Sequence, residues 1–360
     1  MSHAFRTDGA DEPDRVDMVD WALAVRVGAR LAGEGPTVGR DEAPAIVEEL
    51  RAGADRSTGL VREFTGLVAR DHSAPVLVVD RAGWVQANAD AFATLLQPIV
   101  DKLSHKKPPT GLTAAIGSRI TGAEIGGVLG FLGSKVLGQF DPFHEPDGRL
   151  LLVAPNIVHV ERELEADPHD FRLWVCLHEE THRVQFTAVP WMREHLFGQI
   201  QKFAETMEPA GLLEDGLGRV LEGLKNARSG GSTASLIDIV GTPEQKELLD
   251  SLTGVMSLLE GHADVVMDGV GPTVIPSVAK IRAKFNERRK GVGVLDRVLR
   301  RVLGLDAKMA QYRDGAAFVR AVVDRVGMSG FNMVWEQPEH LPTRAEITDP
   351  DAWMTRVLRS

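Results

Sequence analysis

Apolar residues recur at helical spacing along most of the chain. Leu248, Leu249, Leu252, Val255, Met256 and Leu259 form one stripe, with the capping-box pattern Thr242, Pro243, Gln245 ahead of it, so a helix is predicted over 244–268. A second is predicted over 170–186, where Asp167 suits the N-cap, Pro168 N1 and Asp170 N3, before the buried run Leu173, Trp174, Val175, Leu177. Val16, Val19, Ala22, Leu23 and Val27, with Trp21 beside them, open the ordered chain, and further helices are predicted over 89–103 and 295–303. Strand patterns are few. Ala74 to Val79 is a short β-branched run that Gly83 is placed to turn back through Trp84 and Val85, and Leu150 to Ala154 is a second, closed by Pro155. The pattern is that of a mainly α protein with a small β-sheet, an α+β fold.

Two stretches depart from this periodicity. Residues 116–140 carry glycines at 122, 126, 127, 130, 133 and 138. Arg119, Glu124 and Lys135 keep the uncharged run short of the ~20 residues a membrane span needs, so the stretch is expected to be a buried helix. Asn226 to Ala234, rich in Ser and Gly, is expected to be a flexible loop.

Composition narrows the partners. With 43% apolar and 26% charged residues the chain has ample material for a core, and its net charge of −10 argues against nucleic acid. A single cysteine, Cys176, excludes a disulfide framework and a cysteine-rich zinc finger, and on its apolar stretch it is expected to be a core residue. Residues 1–14 are polar and acidic, with no apolar segment behind a basic start. That reads as a disordered tail of a cytoplasmic protein rather than a secretory signal.

Chemistry concentrates in Leu177-His178-Glu179-Glu180-Thr181-His182. Two histidines four apart share one face of a helix, within reach of one Zn²⁺ ion, and the intervening Glu179 is placed to take a proton from a metal-bound water. A third ligand is sought in Glu260-Gly261-His262-Ala263-Asp264, on the later helix. Glu260 lies beside that helix's apolar stripe, where a carboxylate needs a charge partner. Asp264 follows one turn on, placed to accept the second ring N–H of a ligating histidine. His262 is the competing ligand: it projects ~200° around the helix from Glu260, so only a local unwinding at Gly261 would exchange the two. The choice of Glu260 keeps Asp264 in register.

The pair HExxH and ExxxD resembles the signature of the gluzincin metallopeptidases. That resemblance implies one zinc held by His178, His182 and Glu260, with Glu179 as the catalytic carboxylate and Asp264 as the residue orienting a ligand. The stretches HEETHRVQF (178–186), PWMREHL (190–196), SLLEGHADVVMD (257–268), LGLDAKMAQYRDGAAFV (303–319) and LPTRAEITDPDAW (341–353) are also similar to an actinobacterial zincin-like family of hydrolases and zinc-dependent metallopeptidases. A sister branch of it is named for association with biosynthesis of the deazaflavin coenzyme. The resemblance implies a zincin-like catalytic region over 146–360, behind a mostly helical N-terminal subdomain with a short strand pair over 15–145.

Softer candidates accompany this site. Tyr312 is a candidate donor to the oxyanion of a tetrahedral intermediate, and Arg313 a candidate partner for a substrate carboxylate. Leu150 to Ala154 is the candidate strand for aligning an extended substrate. Lys280 to Arg301 holds nine basic and two acidic residues, a pattern expected to form solvated helix faces. The expected substrate is a peptide or amide. A zinc-stabilised scaffold without catalysis and a small-molecule amidohydrolase are the alternatives.

Overall fold

A computed structural model describes residues 18–70, 74–106, 112–206, 242–290 and 305–358. The expected tail over 1–14, the loop over 226–234, the helix over 295–303 and the end of the basic stretch lie outside the described residues.

Helix α1 (Trp21–Ala32) starts where the Asp20 side chain accepts from the Leu23 amide at 2.8 Å. It packs on α4 (Leu112–Gly133), the glycine-rich helix. A Cβ at Gly126 or Gly130 would fall within 2.7 Å of an α1 backbone oxygen, and one at Gly122 within 2.4 Å of the oxygen of its capping residue Asp20, so the glycines let the two backbones meet. No helix among the described residues is long and apolar enough to cross a membrane.

The sheet has three strands in the order β1 (Val76–Val79), β3 (Arg149–Val153), β2 (Gly138–Asp141). β1 runs parallel to β3 with Val76 opposite Leu150, and β2 runs antiparallel to β3 with Gly138 opposite Leu152. Two expectations change here. The return through Trp84 and Val85 is not a strand but the start of α3 (Arg81–Lys106), because the Asp80 side chain accepts from the Gly83 amide at 2.7 Å and caps a helix. Both residues then sit on its buried face, in a cluster with Leu151 and Val153. The glycine-rich helix also ends at Gly133, and its expected last residues form β2.

β3 leads directly into α5 (Ala154–Glu163), followed by α6 (Pro168–Ala188) and α7 (Met192–Thr206). α6 is the axis of the molecule. A cluster containing Leu152, Phe171 and Trp174 packs its first half against α2 (Glu42–Thr65), α5 and α9 (Val278–Lys290). A second cluster joins α8 (Pro243–Val270) to α10 (Leu305–Phe331) through Leu258, Phe318 and Phe331. Trp335 and Trp353 extend that cluster; the chain closes with α11 (Arg344–Thr348) and α12 (Pro350–Leu358).

Candidate metal centre

Caps place both site helices. Asp167 accepts from the Asp170 amide at 3.0 Å and begins α6, so His178, Glu179 and His182 fall in its second half. Thr242 and Gln245 form the capping box of α8, with reciprocal bonds of 3.2 Å. α8 is helical through Gly261, whose role is contact rather than unwinding. A Cβ there would lie 2.2 Å from the Gly315 carbonyl carbon, and one on Gly315 would lie 1.9 Å from the Ser257 oxygen. α8 and α10 therefore cross backbone on backbone, one residue from Glu260.

Three ligand atoms converge between α6 and α8. His178 Nε2 and His182 Nε2 are 3.3 Å apart, and Glu260 Oε2 lies 3.5 Å and 3.6 Å from them. Donors ~2.0–2.1 Å from one tetrahedral zinc ion stand ~3.3–3.4 Å from one another, so the three atoms have the spacing of one face of such a site. Among the described residues they are the group of His, Cys, Asp or Glu able to hold a metal. His262 is not among them: as helix geometry requires, it points away from the face that carries Glu260.

The electrostatics of this group favour a cation. Burial alone would raise the Glu260 carboxyl, but His182 and His178 outweigh it and hold it well below the usual carboxylate range. Burial alone would lower His182, and Glu260 outweighs it, lifting the imidazole to about 9. Glu179, buried beside them, is raised by burial and accepts no hydrogen bond among the described residues. Its side chain lies on Gly138 of β2, where a Cβ would come within 2.5 Å of Glu179 Cγ.

The outer partners differ from expectation. Asp264 does not orient a histidine. Arg282 of α9 reaches across to its Oδ1 at 2.5 Å and to Asp268 at 2.7 Å, so the carboxylate is spent on holding α9 to α8. His178 Nδ1 instead faces Met267 Sδ at 3.2 Å, and His182 Nδ1 faces Gln185 Oε1 at 2.9 Å. Sequence reasoning missed Gln185; its only local signal is its place three residues after His182, on the same helix. His262 is fully buried against Phe331 and Trp335, and burial lowers it to about 3, so it is neutral.

The candidate strand for aligning substrate also moves. β3 is hydrogen-bonded on both sides, whereas β2 is an edge strand and is the one that touches Glu179. Near Phe186, which stacks on Phe140, lies a cavity of about 430 Å³ whose lining mixes Phe143, Phe186 and Phe197 with the charged Glu145, Arg193 and Glu194. Tyr312 and Arg313 belong to α10, but their side chains lie outside the described residues. In the basic stretch, Arg282, Lys284 and Arg288 bind Asp264, the Leu164 carbonyl and Glu163, which fastens α9 to its neighbours. Cys176 is the core residue expected, its Sγ 3.5 Å from the Leu50 carbonyl.

A sequence profile of the family described as "Zincin-like metallopeptidase" matches residues 19–354. A protein from Chloroflexus aurantiacus, whose crystal structure is described as that of "a putative hydrolase with a novel fold", is 31% identical, with a TM-score of 0.71. The likeness covers 95% of this chain and 99% of that one. No curated protein matches the chain.

Proposed function

Because the chain belongs to the zincin-like metallopeptidase family, we propose that it is a zinc-dependent hydrolase of peptide or amide bonds. In this reading His178, His182 and Glu260 hold one Zn²⁺ ion and Glu179 moves the proton. The observation that carries it is the triangle of donor atoms at 3.3, 3.5 and 3.6 Å, with a buried carboxylate beside it that accepts no hydrogen bond from a described residue.

Bound there, zinc would supply Lewis acidity, polarising the scissile carbonyl and acidifying water. Glu179 accepts the proton of the attacking water and delivers it to the leaving amine. Its burial lifts its basicity toward that task, and contact with Gly138 fixes where its carboxyl group sits. The edge of β2 offers backbone groups to an extended substrate. Tyr312, one turn before the Gly315 crossing, is proposed as the donor to the oxyanion. A reducing, cytoplasmic compartment fits a chain with one buried thiol.

The test is zinc content and turnover on a peptide library. Wild-type protein purified without chelator is expected to carry about one zinc. Glu179→Gln is expected to keep the metal and lose hydrolysis, and His178→Ala to lose both. Metal-free wild-type protein overturns the reading. Hydrolysis undiminished in Glu179→Gln removes Glu179 from the reaction.

A further inference from the structure

Gln185 is completely buried on α6, and each polar atom of its carboxamide has a partner. Its nitrogen donates to the Leu259 carbonyl at 2.9 Å and stands 3.0 Å from His262 Nδ1, while its oxygen is 2.9 Å from His182 Nδ1. The Leu259 carbonyl settles which way the amide faces, since a flipped amide would set oxygen against oxygen. With both N–H groups directed at Leu259 and His262, the oxygen has only acceptor capacity to offer His182. His182 must then carry its proton on Nδ1, which leaves the Nε2 lone pair aimed at the point shared with His178 and Glu260.

His262 completes the arrangement. Its Nδ1 accepts from Gln185, so its own proton is on Nε2, and that atom is buried with no hydrogen-bond partner. Phe331 stacks on the ring at 5.4 Å and Trp335 packs on it at 5.3 Å, so the ring is held in place. Filling this apolar pocket did not require a histidine, and the one present leaves a polar atom unanswered. The role that answers for it is the acceptor on the other side of the ring. We infer that Gln185 is a positioning residue that fixes the tautomer and direction of His182, and that His262 anchors Gln185 in that orientation. This rests on the reading of His182 as a zinc ligand.

The test is zinc affinity, measured on the full chain by competition with a chromophoric chelator. Gln185→Met keeps the shape and removes the acceptor, and is expected to weaken zinc binding about 10–100-fold. His262→Phe is expected to weaken zinc to a smaller degree while melting no lower than wild type. A purely structural role predicts lower melting temperatures with unchanged zinc affinity of the folded protein, and that result overturns the inference. A wild-type measurement independent of any variant is the ¹⁵N spectrum of the His182 ring in zinc-loaded protein. Nδ1 protonated and Nε2 metal-bound is expected; metal on Nδ1 overturns the inference and leaves the zinc reading standing. Wild type that binds no zinc overturns both.

Discussion

Two faces of α6 each carry a buried carboxylate, and the two are unequally satisfied. Toward α2, Glu180 is fully buried yet accepts from Thr58 at 2.8 Å and pairs with Arg183 at 2.6 Å; Arg183 also donates to the Ala74 carbonyl at 3.2 Å. Toward α8 and β2, its sequence neighbour Glu179 has no such partner among the described residues, and His178 and His182 turn ring nitrogens toward Glu260 across gaps of 3.5 and 3.6 Å. One residue along a helix turns the side chain by ~100°, enough to move a carboxylate from a paired setting to one without a hydrogen-bond partner. Burial is common to both carboxylates; the missing hydrogen-bond partner is what sets Glu179 apart.

The largest effects are expected at the two carboxylates themselves. Glu179→Gln should cut turnover about 10²–10⁴-fold in a steady-state assay while its melting temperature holds or rises. The sign follows from burial. A carboxyl raised in the folded state contributes most below its unfolded value near 4.5 and loses that contribution as pH climbs through the folded one, so the amide removes a penalty at neutral pH. Glu180→Ala should cost about 3–5 kcal/mol in denaturant unfolding, because it breaks the buried ion pair with Arg183.

Smaller tests sharpen it. Gly138→Ala forces the Glu179 carboxyl to move and should lower turnover by about 10²-fold with zinc content unchanged. In zinc-free protein, His182 is lifted from 6.5 to about 9. Its stabilising contribution, on the order of a few kcal/mol, is complete below pH 6.5 and lost as pH rises toward 9. Melting temperature followed across that range should fall without zinc, and zinc should flatten the slope by taking the proton's place. Asp264→Asn is the smallest, under about 1 kcal/mol and without effect on zinc, since Arg282 is its partner and the pair is partly solvated.

What was legible in the sequence is what local chemistry decides. Asp167 and Pro168 start α6, and Thr242 and Gln245 start α8; each acts within one turn of itself, so the histidine pair and its helical setting could be read directly. β2 could not, because Gly138-Gln139-Phe140-Asp141 is short, carries one large apolar residue and no β-branched one, and is a strand only by pairing with β3. Trp84 and Val85 misled in the opposite direction, their strand preference overridden by the Asp80 cap. Glu260 could be named because chain order and an apolar stripe both pointed to it, but its meeting with the histidines is a tertiary fact. Asp264 shows the limit of that reasoning. Helical register set it one turn past Glu260, and only the packing of α9 shows that Arg282 claims it. Gln185 was invisible for the same reason, since Leu259 and His262, which hold it, come from another helix.

The crossing of α8 and α10 at Gly261 and Gly315 bears on how the protein can vary. Where helices meet through side chains, a methyl gained or lost shifts their separation by fractions of an ångström, and an evolving lineage can tune a site in small steps. Here the contact is main chain against main chain, with a Cβ on either glycine landing within 2.2 Å of the other helix. No increment is offered at that point. Moving Glu260 therefore takes a shift of the whole crossing, not a change in one side chain.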